Sequence, residues 1–246
     1  PGSVNASTDG GEEVVIVGEY FSTNRFLDKV TYGPTGVEFN ADGCRVTTDH
    51  TEITCRTVAG TGRRLKWYVT VKGQTSALSE AVTSYAAPTV RSIAPQSGDT
   101  PGGIVMRIEG ANFALFFPLS VLRVRMNALG RESPGSSAVS QHWRALLDGN
   151  VTGVVADVDR WVKSFEVLQV TRSGRLPGSA GHYLDVVVPE GFGTDRELIV
   201  DVDSILSDPL YFHYNPPVIT TIAPVRQEVE QGLLRVLVEG TSFCNG

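Results

Sequence analysis

The chain lacks any run of about 18 apolar residues, so nothing in it reads as a membrane-spanning helix. It also lacks long stretches with a helical period. Instead, short runs of β-branched and aromatic residues are bounded by Gly, Pro, Asn and Asp, which is the pattern of strands and turns. There is no basic excess: 21 Lys and Arg against 27 Asp and Glu leave a net charge of −6. That excludes general affinity for nucleic acid or for an anionic membrane, both of which need a positive surface to displace counterions. Histidine is scarce, and His50, His142, His182 and His213 stand far apart with none at metal-ligand spacing. There is no Gly-x-Ser-x-Gly elbow, no phosphate-cradling loop with a lysine, and no His-Glu-x-x-His. Gly60-Thr61-Gly62-Arg63-Arg64 reads as a strand turn followed by solvated charge. We therefore assign no catalytic residue, no cofactor-binding residue, no cofactor and no metal ligand, and read the chain as non-enzymatic. Asp157-Val158-Asp159 and Asp201-Val202-Asp203 come nearest to a set of calcium oxygens. The second pair alternates with Val200 and Val202, which places it on a solvent face.

What the chain does have is repetition. Gly10 stands eight residues before Gly18, Gly102 eight before Gly110, and Gly232 eight before Gly240, each pair enclosing an apolar run. Every second glycine opens a Gly-x-x-Phe, ending at Phe21, Phe113 and Phe243. A second phrase precedes the last two copies: Tyr85 to Pro95 and Tyr214 to Pro224 both run ten residues from Tyr to Pro. Two phrases in fixed register mark a tandem array of one small domain. Leu65, Trp67, Val69 and Val71 alternate with Lys66, Tyr68 and Thr70, predicting a half-buried strand. Leu198, Val200 and Val202 alternate with Glu197, Ile199 and Asp201 in the matching place. Paired glycines before a strand permit a tight turn, and the Phe of each Gly-x-x-Phe is expected to turn into a core. The class is all-β, a series of β-sandwiches.

The ordered set of phrases resembles the IPT/TIG family of immunoglobulin-like domains. The family's Pro-x-Ile-x-x-Ile-x-Pro opening matches Pro88 to Pro95 and Pro217 to Pro224. Its late glycine turn matches Gly60-Thr61-Gly62 and Pro189-Glu190-Gly191-Phe192-Gly193. The resemblance covers almost the whole chain except roughly residues 125–165, and implies tandem immunoglobulin-like sandwiches.

A length of 246 residues exceeds one sandwich of about 100. We divide the chain into 1–87, a domain lacking its first strand; 88–215, a domain with a long insertion at about 125–165; and 216–246, the opening of a third. The third holds too few strands to close a core alone, so the chain is expected to be a segment of a longer array. Gly18 to Gly62 spans 44 residues and Gly110 to Gly193 spans 83, so the second domain carries about 39 more between the same landmarks. Insertions this long often carry function. Trp143 and Trp161 lie in it and are candidate anchors of a binding surface, although it could equally be strands or a lid that only cover an edge.

Cys44 and Cys55 stand eleven apart, a spacing that suits two antiparallel strands joined near Thr48-Asp49-His50. The two thiols would then meet, as a bridge or as two buried free thiols. Extracellular members of the resembled family carry a disulfide at this place, and we assign one here. The second domain has no cysteine, and Cys244 is expected to pair outside the segment. Asn5-Ala6-Ser7 and Asn150-Val151-Thr152 are acceptor sequons for glycosylation. Together these features favour the secretory route. The reading is an extracellular, cell-surface segment acting as stalk and adhesion or recognition surface. Its partners would be proteins at the cell surface, homotypic binding included. No nucleic acid is implied, and a membrane only through segments outside this one. The rivals are an intracellular scaffold or Rel-like DNA-binding and dimerisation module, and an accessory carbohydrate-associated module of a larger enzyme.

Overall fold

A computed structural model of the chain describes residues 4–116, 121–127, 165–224 and 236–241. Nine strands form a first unit: β1 (Val4–Ala6), β2 (Glu13–Val17), β3 (Leu27–Gly33), β4 (Phe39–Asn40), β5 (Asp42–Thr48), β6 (Glu52–Arg56), β7 (Lys66–Val71), β8 (Gln74–Thr75) and β9 (Ser84–Tyr85). They assemble as a three-stranded sheet β2-β6-β5 and a four-stranded sheet β4-β3-β7-β8, with a short parallel pair β1-β9. A second unit follows with β10 (Thr89–Ala94), β11 (Ser97–Gly98), β12 (Val105–Ala111), β13 (Leu122–Asn127), β14 (Phe165–Leu168), β15 (Val170–Arg175), β16 (His182–Val187), β17 (Arg196–Val202), β18 (Ile205–Leu206) and β19 (Leu210–Tyr214). Its sheets are β10-β12-β16-β15 and β11-β19-β17-β13-β14, with β18 beside β17. Finally β20 (Val218–Pro224) pairs with β21 (Val236–Thr241).

Each large unit is two sheets closed over one apolar core, as period-2 alternation requires. In the first, Val14, Phe21, Val30, Tyr32, Ile53, Leu65, Trp67 and Tyr85 are buried together. Tyr32 stacks on Trp67 with ring centroids 4.2 Å apart. In the second, Ile93, Met106, Ile108, Phe113, Val124, Leu184, Leu198, Val200 and Phe212 form the core. Phe21 and Phe113 point inward, while Phe243 lies outside the described residues.

The repeated glycines have a steric cause. Gly10 and Gly102 hold φ of 74° and 66°, and a Cβ on either would overlap backbone of the late turn, Val58 in one unit and Pro189 in the other. The tyrosine that closes each unit is anchored at the same place. Tyr85 donates to the Val58 carbonyl at 2.6 Å and Tyr214 to the Pro189 carbonyl at 2.8 Å. Gly60 and Gly191 leave room for those rings. Within the first unit Tyr32 adds a second layer: its hydroxyl accepts the Val58 N–H at 2.9 Å and lies 2.6 Å from the Tyr85 hydroxyl.

The opening strand repeats in register. β10 pairs with β12 through Val90↔Gly110, a bulge, then Ser92↔Glu109 and Ile93↔Ile108. β20 pairs with β21 through Ile219↔Gly240, a bulge, then Thr221↔Glu239 and Ile222↔Val238. In the first unit β2 occupies the place of β12 and β21, and its one ladder partner among the described strands is β6. Ile16 is accordingly half-buried where its counterpart Ile108 is fully buried.

One expectation from alternation is corrected. Residues of β17 were to alternate between core and solvent, yet all seven are buried. Glu197, Ile199 and Asp201 retain 1%, 0% and 4% exposure on the face away from the core. The strand lies between β13 and β19, and Arg125 of β13 reaches across to Asp201 at 2.7 Å. Asp201 is therefore a paired, buried carboxylate.

Candidate functional site

The residues that sequence reasoning selected do not converge. Cys44 on β5 and Cys55 on β6 are joined in a disulfide between adjacent strands. Cys55 is fully buried in the core and Cys44 packs against that core from its margin. The bridge is structural, and Cys44 borders an open hollow lined by Asn24, Asp28, Lys29 and Asn40. Asn5 is exposed, with φ of 73°, at a register shift of β1. It has no partner of its own in the β1-β9 register. Asn150, Trp143, Trp161, His142, Asp157 and Asp159 lie outside the described residues.

Among the described residues no three His, Cys, Asp or Glu side chains cluster in a way that could hold a metal ion. Asp201 is taken up by Arg125, while Asp203 accepts the Thr61 hydroxyl at 3.1 Å. Of the histidines, His50 sits in a turn with φ of 68°, and the Nδ1 of His213 accepts the Asp195 N–H at 3.0 Å. Among the described histidines only His182 is both buried and networked.

That network lies where the two large units meet, and no sequence pattern pointed to it. Asp9, in the loop before β2, accepts from Nε2 of His182 on Oδ2 at 3.1 Å, and the same oxygen forms an ion pair with Arg175 at 3.1 Å. His182 opens β16 and is 1% exposed; Arg175 closes β15 and is half-exposed. The Phe113 N–H donates to Nδ1 of His182 at 3.1 Å. In the neutral ring the proton therefore resides on Nε2 and is given to Asp9. Beside it, Asn112 accepts the Thr8 N–H and donates to the Ala87 carbonyl, each at 3.3 Å. Asn112 takes φ of 61° in the third position of its Gly-x-x-Phe, a conformation asparagine tolerates better than most residues. The Thr61–Asp203 bond completes the contact from the late turn of the first unit.

Other charge is spent within the units. Arg107 grips Asp185 with two bonds, 2.8 and 2.9 Å, and lies over the Tyr183 ring at 4.5 Å. The guanidinium holds the Asp185 carboxyl below the usual carboxylate range. Burial pushes the Tyr32, Tyr85 and Tyr214 phenols upward. The most exposed large apolar side chains of the first unit are Tyr20 at 84% and Val17 at 76%, together at the end of β2. In the second unit Phe116, at 62%, lies beneath Arg175, whose guanidinium is 5.3 Å from the ring centroid.

Two closed sandwiches in succession, followed by the β20-β21 pair and with no convergent chemical site among the described residues, define the class as immunoglobulin-like tandem repeats. Within it, residues 3–85 match the family model for the IPT/TIG domain. No curated protein matches the chain. Among solved structures, the chain is similar to the plexin A4 extracellular region, at 15% identity and a TM-score of 0.35. That alignment covers 86% of this chain and 17% of the plexin. It is also similar to the adhesin InvE of Yersinia pseudotuberculosis, at 13% identity and a TM-score of 0.36, covering 87% of this chain and 57% of InvE. SGBP-B from a xyloglucan utilization locus of Bacteroides uniformis aligns at 13% identity and a TM-score of 0.31, covering 90% and 54%. The chain thus spans a small part of the plexin and little more than half of the others.

Proposed function

We propose that this chain is a non-catalytic, extracellular segment of a surface protein, a spacer that presents recognition surfaces at set separation. Its domains would divide at 1–87, 88–215 and 216–246. The observation that carries the reading is the direct contact between consecutive units. A short linker, Ala86-Ala87-Pro88, is backed by hydrogen bonds and an ion pair between the bodies it joins. Such an array works by geometry and needs no reacting group. Protein partners, copies of the same chain among them, would engage exposed loops. The insertion with Trp143 and Trp161 is the first place to look, because a large aromatic can anchor an interface at small entropic cost. Extracellular placement is supported by the Cys44–Cys55 bridge, since cytosolic conditions keep thiols reduced. The exposed Asn5 sequon supports it as well, with Asn150 as a second acceptor.

The test is peptide mass spectrometry on unreduced protein from its native source, with and without glycosidase. A linked Cys44–Cys55 peptide and glycan on Asn5 or Asn150 are expected. Free thiols with both asparagines bare would overturn the extracellular assignment. For recognition, Trp143→Ala and Trp161→Ala are expected to weaken capture of a surface partner while thermal unfolding stays unchanged. Unaltered capture by both variants would remove the insertion from the binding surface.

A further inference from the structure

The junction between the first two units uses residues that the repeat itself does not supply. Equivalent positions are fixed by equivalent backbone bonds. Gly10 N–H donates to the Ser7 carbonyl and Gly102 N–H to Asp99; Gly60 N–H donates to Thr8 and Gly191 N–H to Thr100. On that alignment Asp9 corresponds to Pro101, which has no side-chain acceptor. Likewise Glu109↔Tyr183 matches Val17↔Glu52 in the ladders, so His182 corresponds to Thr51. Neither half of the Asp9–His182 pair recurs.

We propose that Asp9, His182 and Arg175, with Asn112 and the Thr61–Asp203 bond, form an orientation lock that makes units one and two a single rigid element. Three contact points carry the argument, and they arise from different parts of the second unit. His182 and Arg175 sit on the β15–β16 hairpin, Asn112 follows β12, and Asp203 lies in the β17–β18 turn. A linker holds two bodies at one point and leaves rotation free, whereas the added contacts at Thr8 and Asp9 and at Thr61 restrict it. The central contact is also the one that resists opening. His182 is buried, its Nδ1 is committed to the Phe113 N–H, and without Asp9 its Nε2–H would be left without an acceptor. Asp9 Oδ2 satisfies that donor and is ion-paired with the Arg175 guanidinium. The Oδ1 of Asp9 is buried without a hydrogen bond, so the carboxylate depends on that one hydrogen bond and the ion pair to offset its desolvation.

The experiment uses the full chain with a spin-labelled unnatural amino acid at Val37 in the first unit and Val105 in the second, both exposed. No cysteine is altered. Pulsed dipolar spectroscopy is expected to return one narrow distance distribution for the parent chain. Asp9→Ala is expected to lose that narrow peak to a broad one, while near-ultraviolet circular dichroism stays native. Arg175→Gln and Thr61→Val, at partly exposed or small sites, are expected to broaden it partially and keep the inference testable should Asp9→Ala fold poorly. A broad distribution in the parent chain overturns the lock, as does an unchanged narrow one in all three variants. The widths report the junction whether or not the chain is secreted, so failure here leaves the disulfide and glycan test standing.

Discussion

At the scale of the residue, the closing tyrosines carry the clearest consequences. Tyr85 gives its proton to the Val58 carbonyl and shares its hydroxyl with Tyr32, while Tyr214 makes one bond, to Pro189. Tyr85→Phe leaves a buried carbonyl and the Tyr32 hydroxyl short of a partner and is expected to cost about 1–3 kcal/mol. Tyr214→Phe should cost about 1 kcal/mol. Urea unfolding of the two variants, each followed by a probe in its own unit, checks the difference. The three phenols also set an alkaline limit. Burial raises their pKa in the folded state, so folding favours the protonated form. Stability from this source is full below the ordinary tyrosine range near 10 and is lost as pH rises above it. Phenolate absorbance from these residues should therefore appear together with loss of circular dichroism; a separate, earlier titration would contradict the burial. The disulfide is a third residue-scale contribution. Cys44→Ser with Cys55→Ser, or reduction of the parent chain, should lower stability of the first unit by about 2–3 kcal/mol, read as a lower melting temperature confined to that unit.

Among the elements, β2 and β12 are the informative comparison. Both carry apolar side chains into a core and both run antiparallel to an inner strand, β6 or β16. Only β12 has a second described neighbour, β10. In an antiparallel ladder alternate N–H groups face opposite sides, so those of β2 that face away from β6 meet no described strand. Hydrogen exchange should be fast at alternate amides of β2 and slow along all of β12. Uniform protection of β2 would show that another strand covers it. The Arg107–Asp185 bridge between β12 and β16 offers a second element-scale reading. Its carboxyl pKa is depressed, so its contribution is present above the ordinary carboxylate range and is lost as pH falls through the depressed value. Arg107→Ala should remove that acid dependence while leaving the alkaline limit in place.

For the whole molecule, the acidic balance and the junction matter more than any single side chain. A net charge of −6 leaves no counterion-release term to draw the chain onto nucleic acid. No retardation of duplex DNA is expected even at low salt, and clear retardation would revive the Rel-like alternative. Much of the architecture was legible in the residues. Gly10, Gly102, Gly60 and Gly191 are glycine because backbone or a tyrosine ring occupies the space of a Cβ, so their spacing recurs wherever the turn recurs. Phe21, Phe113 and the alternation along β7 reveal the sandwich for the same local reason. The burial of Asp201 was not legible, because alternation describes one strand, whereas the partner of Asp201 is Arg125 of a neighbouring strand 76 residues away in sequence. The junction was less legible still. Asp9 and His182 are 173 residues apart, and neither position belongs to the repeat that organised the reading. Composition and spacing by themselves determined the all-β class, the tandem order and the nearness of Cys44 to Cys55, since each follows from chain-local sterics or from strands adjacent in sequence. Only the tertiary structure decided which charges are buried and how one unit is held on the next, because those depend on surfaces brought together from distant parts of the chain.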